Sequence, residues 1–135
     1  MTYKIEEIEG IGPTYGAKLS EAGIDTTDKL LDQCGSRGGR KDVAEKTGLT
    51  ESQLLKWANM ADLMRISGVG EEYSELLEAA GVDTVKELKM RRADNLTAKM
   101  AEVNEQRKLV RVVPAESQVT KWIEQAQTME PMISH

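Results

Sequence analysis

The stretch IEGIGPTYGAKLSEAGIDTT, from Ile8 to Thr27, returns 58 residues later as ISGVGEEYSELLEAAGVDTV, from Ile66 to Val85. The copies agree at Ile8/Ile66, Gly10/Gly68, Gly12/Gly70, Tyr15/Tyr73, Leu19/Leu77, Ala22/Ala80, Gly23/Gly81, Asp25/Asp83 and Thr26/Thr84. A second pair follows in the same order: ESQLLKW (Glu51 to Trp57) and ESQVTKW (Glu116 to Trp122), 65 residues apart. Two matched blocks in one order point to an internal duplication, so the chain solves one folding problem twice. The difference in spacing, 65 − 58 = 7 residues, places an insertion between about Lys89 and Pro114. The expected units are 1–62 and 63–129, followed by a tail, 130–135, expected to be disordered.

The local signals are helical. Pro13 suits the start of a helix, where its missing N–H does no harm. In the segment that follows, Tyr15, Leu19 and Ala22 share a face, and Gly23 ends it. Thr26 is a good N-cap, Thr84 with Glu87 reads as a capping box, and Thr50 with Gln53 as another. A helix over 50–65 is expected to close the first half and to serve as the first helix of the second. No strand alternation bounded by hairpin turns is present, and LVRVV (Leu109 to Val113) reads as a link between helices. The expected fold class is all-α, with roughly four short helices in each half. Trp57 and Trp122 fall on apolar faces at matched positions, which predicts two equivalent buried sites.

Each copy carries a hydrophobic–Gly–hydrophobic–Gly turn between helices, IEGIG and ISGVG. Ile11 or Val69 would plug the space between the helices, and the next helix would start with free N–H groups, a natural anion site. This resembles the helix-hairpin-helix motif of DNA repair proteins and of the C-terminal domain of the RNA polymerase alpha subunit. The continuations EAGIDTTDKLL and AAGVDTVKEL resemble that family too. The whole chain is similar to an uncharacterised bacterial and archaeal domain family built of two such modules, with RKDVAEKTGL and WANMADLMRISGVGEEY as its phrases. The resemblance implies a pseudo-duplicated tandem bundle of the SAM-like or alpha-CTD-like kind. It also implies DNA-backbone contact through the amides of Gly10, Ile11, Gly12 and of Gly68, Val69, Gly70, helped by Lys18. The turns can equally serve as tight helix connectors. Glu71, Glu72, Glu75 and Glu78 make that the simpler reading of the second copy, because like charges oppose a phosphate.

The net charge of −5 argues mildly against an obligate nucleic-acid binder. Positive charge nevertheless gathers in the middle of each half: residues 31–66 sum to +1 and residues 89–111 to +4, while 67–88 sum to −5. The candidate phosphate contacts are Arg37, Arg40 and Lys41 in GSRGGRK, and Arg91, Arg92 and Lys99 in the second half, with Lys89, Arg107, Lys108 and Arg111 nearby. GSRGGRK reads either as a phosphate cradle before a helix near Gly39 or as a solvated glycine-rich loop.

One cysteine, Cys34, excludes an internal disulfide, and one histidine, His135, leaves no zinc-ligand set and no credible catalytic pair. The expectations are therefore no cofactor, no metal and no enzymatic activity. No apolar stretch reads as a signal segment or a membrane span, so a cytoplasmic protein without membrane contact is expected. Two functions stay open: weak, sequence-independent nucleic-acid binding, and a protein-interaction module whose hairpins no longer take phosphate.

Overall fold

The computed structural model describes residues 2–135. Among them the fold is all-α, with eight α-helices and no strand. The helices are α1 (Gly12–Glu21), α2 (Thr27–Cys34), α3 (Arg37–Thr47), α4 (Glu51–Leu63), α5 (Glu71–Ala79), α6 (Val85–Leu88), α7 (Ala93–Arg107) and α8 (Glu116–Gln127). A 3-10 turn over Ile5–Glu7 precedes them.

The caps explain the boundaries. The hydroxyls of Thr26, Ser36, Thr50 and Thr84 accept from the third residue beyond them, satisfying N–H groups that a helix start leaves bare. At Thr50 the box is complete, because Gln53 Oε1 accepts from the Thr50 amide at 3.0 Å. At Thr84 only half of the expected box forms. Glu87 turns instead to Arg91, whose Nη2 donates to it at 3.0 Å. Residues 108–115 carry no helix, so LVRVV is a connection.

GSRGGRK is not a loop. Its arginines lie inside α3, which starts two residues earlier than Gly39, capped by Ser36. The glycines permit close packing. A Cβ on Gly39 would strike the Gln33 carbonyl, and one on Gly35 would strike the carbonyls of Leu31 and Met132. Small residues here let α3 turn back tightly against the end of α2.

Two cores form. The first joins Ile5, Ile8, Ile11, Leu19, Leu30, Leu54 and Trp57. The second joins Ile66, Val69, Leu76, Leu77, Leu88, Met100 and Trp122. Helix α4 belongs to both: Ala58, Met60 and Ala61 face the first core, and Leu63 the second. Nearly all of α4 after Lys56 is buried, which leaves little freedom between the two cores.

One buried acid fastens this joint. Asp62, near the end of α4, accepts from the Arg65 guanidinium at 2.7 Å and from the Val85 amide at the start of α6 at 2.8 Å. A buried carboxylate is tolerable only with such partners.

Segment 130–135, where the sequence suggests disorder, lies without helix across α2 and α3. Ile133 packs on the first core, and the Ser134 amide donates to the Gly35 carbonyl at 2.8 Å. Its grip is on main-chain carbonyls, which is why side-chain patterning does not announce it.

Candidate interaction face at the two glycine turns

The two turns are built alike. Gly10 (φ 91°) and Gly68 (φ 94°) take the left-handed conformation that glycine alone adopts without strain. Ile11 and Val69 are buried plugs. Tyr15 tilts against Trp57 with ring centroids 5.3 Å apart, and Tyr73 against Trp122 at 5.2 Å. These aromatic pairs wall the back of each turn.

The copies part at the second glycine. Gly12 has φ 61°, whereas Gly70 is extended at φ −99°. Pro13 follows Gly12 and disfavours the helical region for the residue before it. Glu71 follows Gly70 and imposes nothing of the kind.

Not every amide in the turns is free. The Ile11 amide donates to Ile8 at 3.2 Å and the Val69 amide to Ile66 at 3.1 Å. The expectation that both would hold phosphate is corrected: those donors close the turns themselves. The starts of α1 and α5 do lack side-chain caps, so their first N–H groups remain open. Lys18 is exposed but sits in the last turn of α1, roughly 9 Å along the axis from Gly12.

Acid from both turns converges. Burial pushes the Glu71 carboxyl above the usual carboxylate range, and Glu9, Glu72 and Glu7 push it further. Burial also raises Glu75, with Glu9 next in weight; Arg107 and Lys56 oppose the rise, and Glu78 adds to it. Thus Glu9 of the first turn faces the helix that follows the second. A cleft of about 270 Å³ opens there, lined by Glu9, Gly10, Lys56, Glu75, Glu78 and Arg107. Sequence spacing shows acids near each turn but not their meeting across the two halves.

The expected basic contacts fare unequally. Arg40 is buried, and its guanidinium donates to the carbonyls of Cys34 and Gly35 at 3.0 Å and of Ser134 at 2.6 Å. It is a structural residue, and its place among surface contacts is corrected. Arg91 is held by Glu87 and by the Gly81 carbonyl, and Arg92 by Asp94. Arg37, Lys41 and Lys99 are exposed. They ride on helices with different neighbours, α3 against α2 and α4, and α7 against α5 and α8.

Among the described residues no group of three or more His, Cys, Asp or Glu side chains is placed to hold a metal ion, and no helix is long and apolar enough to cross a membrane. Cys34 is fully buried, and burial pushes its thiol up to about 11, with Arg40 pulling the other way.

No curated protein and no solved structure matches the chain. A domain family of unknown function, DUF4332, matches residues 9–129. That span takes in both turns, both tryptophans and all eight helices, and the chain belongs to the DUF4332 family.

Proposed function

We propose that this chain is a tandem helix-hairpin-helix module, arisen by duplication, that acts as a non-enzymatic interaction domain. Its docking face is the acidic surface between the two glycine turns, and its partner is a basic protein segment. The observation that carries this reading is the convergence of Glu9 with Glu71 and Glu75: burial raises both carboxyls first, and Glu9 raises them further. A folded protein keeps like charges together at a cost, and an incoming cation relieves it. The tandem reading is supported by the matched φ of Gly10 and Gly68, the matched Tyr–Trp pairs and the matched threonine caps.

Weak binding to a nucleic-acid backbone is the second reading. It is favoured by the uncapped starts of α1 and α5 and by exposed Arg37, Lys41 and Lys99. Titration with duplex DNA, single-stranded DNA and a lysine-rich peptide at low and moderate salt separates the two. The protein reading expects peptide binding that Glu75→Lys abolishes, with DNA bound weakly or not at all. DNA binding with a clear salt slope, and none to the peptide, would reverse the order.

A further inference from the structure

Segment Glu130–His135 has a consistent relation to the body of the protein. It leaves the end of α8 in the second half and finishes on α2 and α3 in the first. Just before it, Lys89 Nζ donates to the Met129 carbonyl at 3.1 Å. Arg65 Nη1 donates to the Glu130 carbonyl at 3.1 Å. The Met132 carbonyl lies against Gly35, and Ile133 packs on the core that contains Cys34. Ser134 completes the hold twice, through its amide to Gly35 and through its carbonyl to Arg40.

The hold is slight for its length. Only Ile133 of the six residues is withdrawn partly from water; the rest are exposed. Three hydrogen bonds and one half-buried side chain must offset the ordering of six residues of backbone. Arg40, by contrast, keeps two of its three acceptors, Cys34 and Gly35, whether or not the segment is present. Helices α2 and α3 therefore stay joined without it. Segments of this kind open locally at much lower free energy than the core.

We propose that Glu130–His135 is a releasable strap that ties the end of α8 to α2 and α3, covers Cys34 when closed, and opens without unfolding either half. Closed, it seals the Cys34 side of the first core and fixes Arg40 by its third bond. Open, it uncovers that thiol and the Gly35 carbonyl.

Cys34 supplies the readout, since the chain has no other cysteine. The full chain is reacted with an aromatic disulfide reagent at urea concentrations below the unfolding transition, and hydrogen exchange at the Ser134 amide is followed in parallel. The strap predicts labelling and exchange both faster than global unfolding permits, with a clearly shallower urea dependence than unfolding itself. Ser134→Pro, which removes the amide that donates to Gly35, speeds labelling by about fivefold to tenfold, the factor that removing a single hydrogen bond commonly produces. Ile133→Asp, which puts a charge where an apolar side chain packs on the core, separately speeds it too. The proline variant leaves Ile133 in place, so a core defect cannot produce its effect. Labelling that tracks global unfolding in the wild-type chain, or that neither variant accelerates, overturns the proposal.

Discussion

The indole Nε1 of Trp122 stands 3.2 Å from the point where a Cβ on Gly68 would lie, and that of Trp57 stands 3.7 Å from the same point on Gly10. The turn and the tryptophan thus fit each other through the absence of a side chain, and the second copy fits more closely. Both glycines also have φ near 90°. Gly10→Ala and Gly68→Ala should each destabilise by about 1–3 kcal/mol through backbone strain. Gly68→Ala should lose more, because its Cβ must also displace the indole edge. Urea unfolding of the two variants checks this, and a larger loss at Gly10 would show that the indole yields freely.

The tryptophans themselves should be nearly equivalent. Trp57 is 4% exposed and Trp122 2% exposed, each with a tyrosine ring against it. Replacement of either by Ala should cost about 3–5 kcal/mol, the range for large core aromatics. Calorimetry of each single variant tests it; a loss under about 1 kcal/mol at either site would mean the cavity collapses around the missing ring.

Residue spacing carries much of this fold. The threonine caps, the glycine stops and the aromatic positions are local signals, and each names its element from a few neighbours. Arg40 shows where such reading ends. Beside Gly38 and Gly39 it looks like part of a solvated basic loop, because three backbone carbonyls, two at the end of α2 and one from the distant segment 130–135, leave no mark in sequence. Glu9 and Glu75 show the same limit for the site. Each reads only as an acid beside its own turn until the two halves are folded together. Asp62 reads as one more helical charge, though Val85 and Arg65 make it the fastening of two helices.

The acidic face has a pH signature. Glu71 and Glu75 are raised in the folded state, mainly by burial and then by Glu9. Between the ordinary glutamate value and the raised one, the folded state holds more protons than the unfolded state. Stability from these groups therefore falls as pH rises through that window and is regained on acidification. Asp25 and Asp94 act oppositely: held low by hydrogen bonds from Lys29 and Arg92, their contribution is lost only as pH falls further. Stability from these groups should thus be greatest within the ordinary carboxylate range and should decline as pH rises from there toward neutrality. Glu75→Gln should raise stability at neutral pH by a few tenths to about 1 kcal/mol. It should also flatten the slope, as urea midpoints measured across about pH 4.5–7 would show. An unchanged slope would place the strain elsewhere.

Asp62 should be among the costliest polar residues to lose. Its two oxygens serve different elements, and it is 1% exposed. Asp62→Ala strands the Val85 amide and the Arg65 guanidinium together, and should destabilise by about 3–5 kcal/mol. Arg65→Ala leaves the carboxylate with the Val85 amide and a buried charge. Its loss should be smaller, about 2–3 kcal/mol. A double-mutant cycle between the two, read by chemical denaturation, should give a coupling above about 1 kcal/mol. Additive losses would show that the pair is screened by solvent.

The three basic residues in the first half of α3, Arg37, Arg40 and Lys41, should separate cleanly. Arg40 gives its guanidinium to the carbonyls of Cys34, Gly35 and Ser134, so Arg40→Ala should destabilise by about 2–3 kcal/mol. Arg40→Lys should recover only part of this, since an ammonium cannot span the same fork of acceptors. Arg37 and Lys41 are exposed, and alanine at either should change stability by less than about 0.5 kcal/mol. Their effect, if the nucleic-acid reading holds, is on ligand alone: each phosphate left without its cation should lower the slope of log affinity against log salt by about 0.9. Thermal unfolding and salt titration on the same four variants therefore distinguish scaffold from surface. Should Arg40→Ala leave the unfolding temperature unmoved while weakening DNA binding, Arg40 would belong to the ligand and the packing of α2 on α3 would need another explanation.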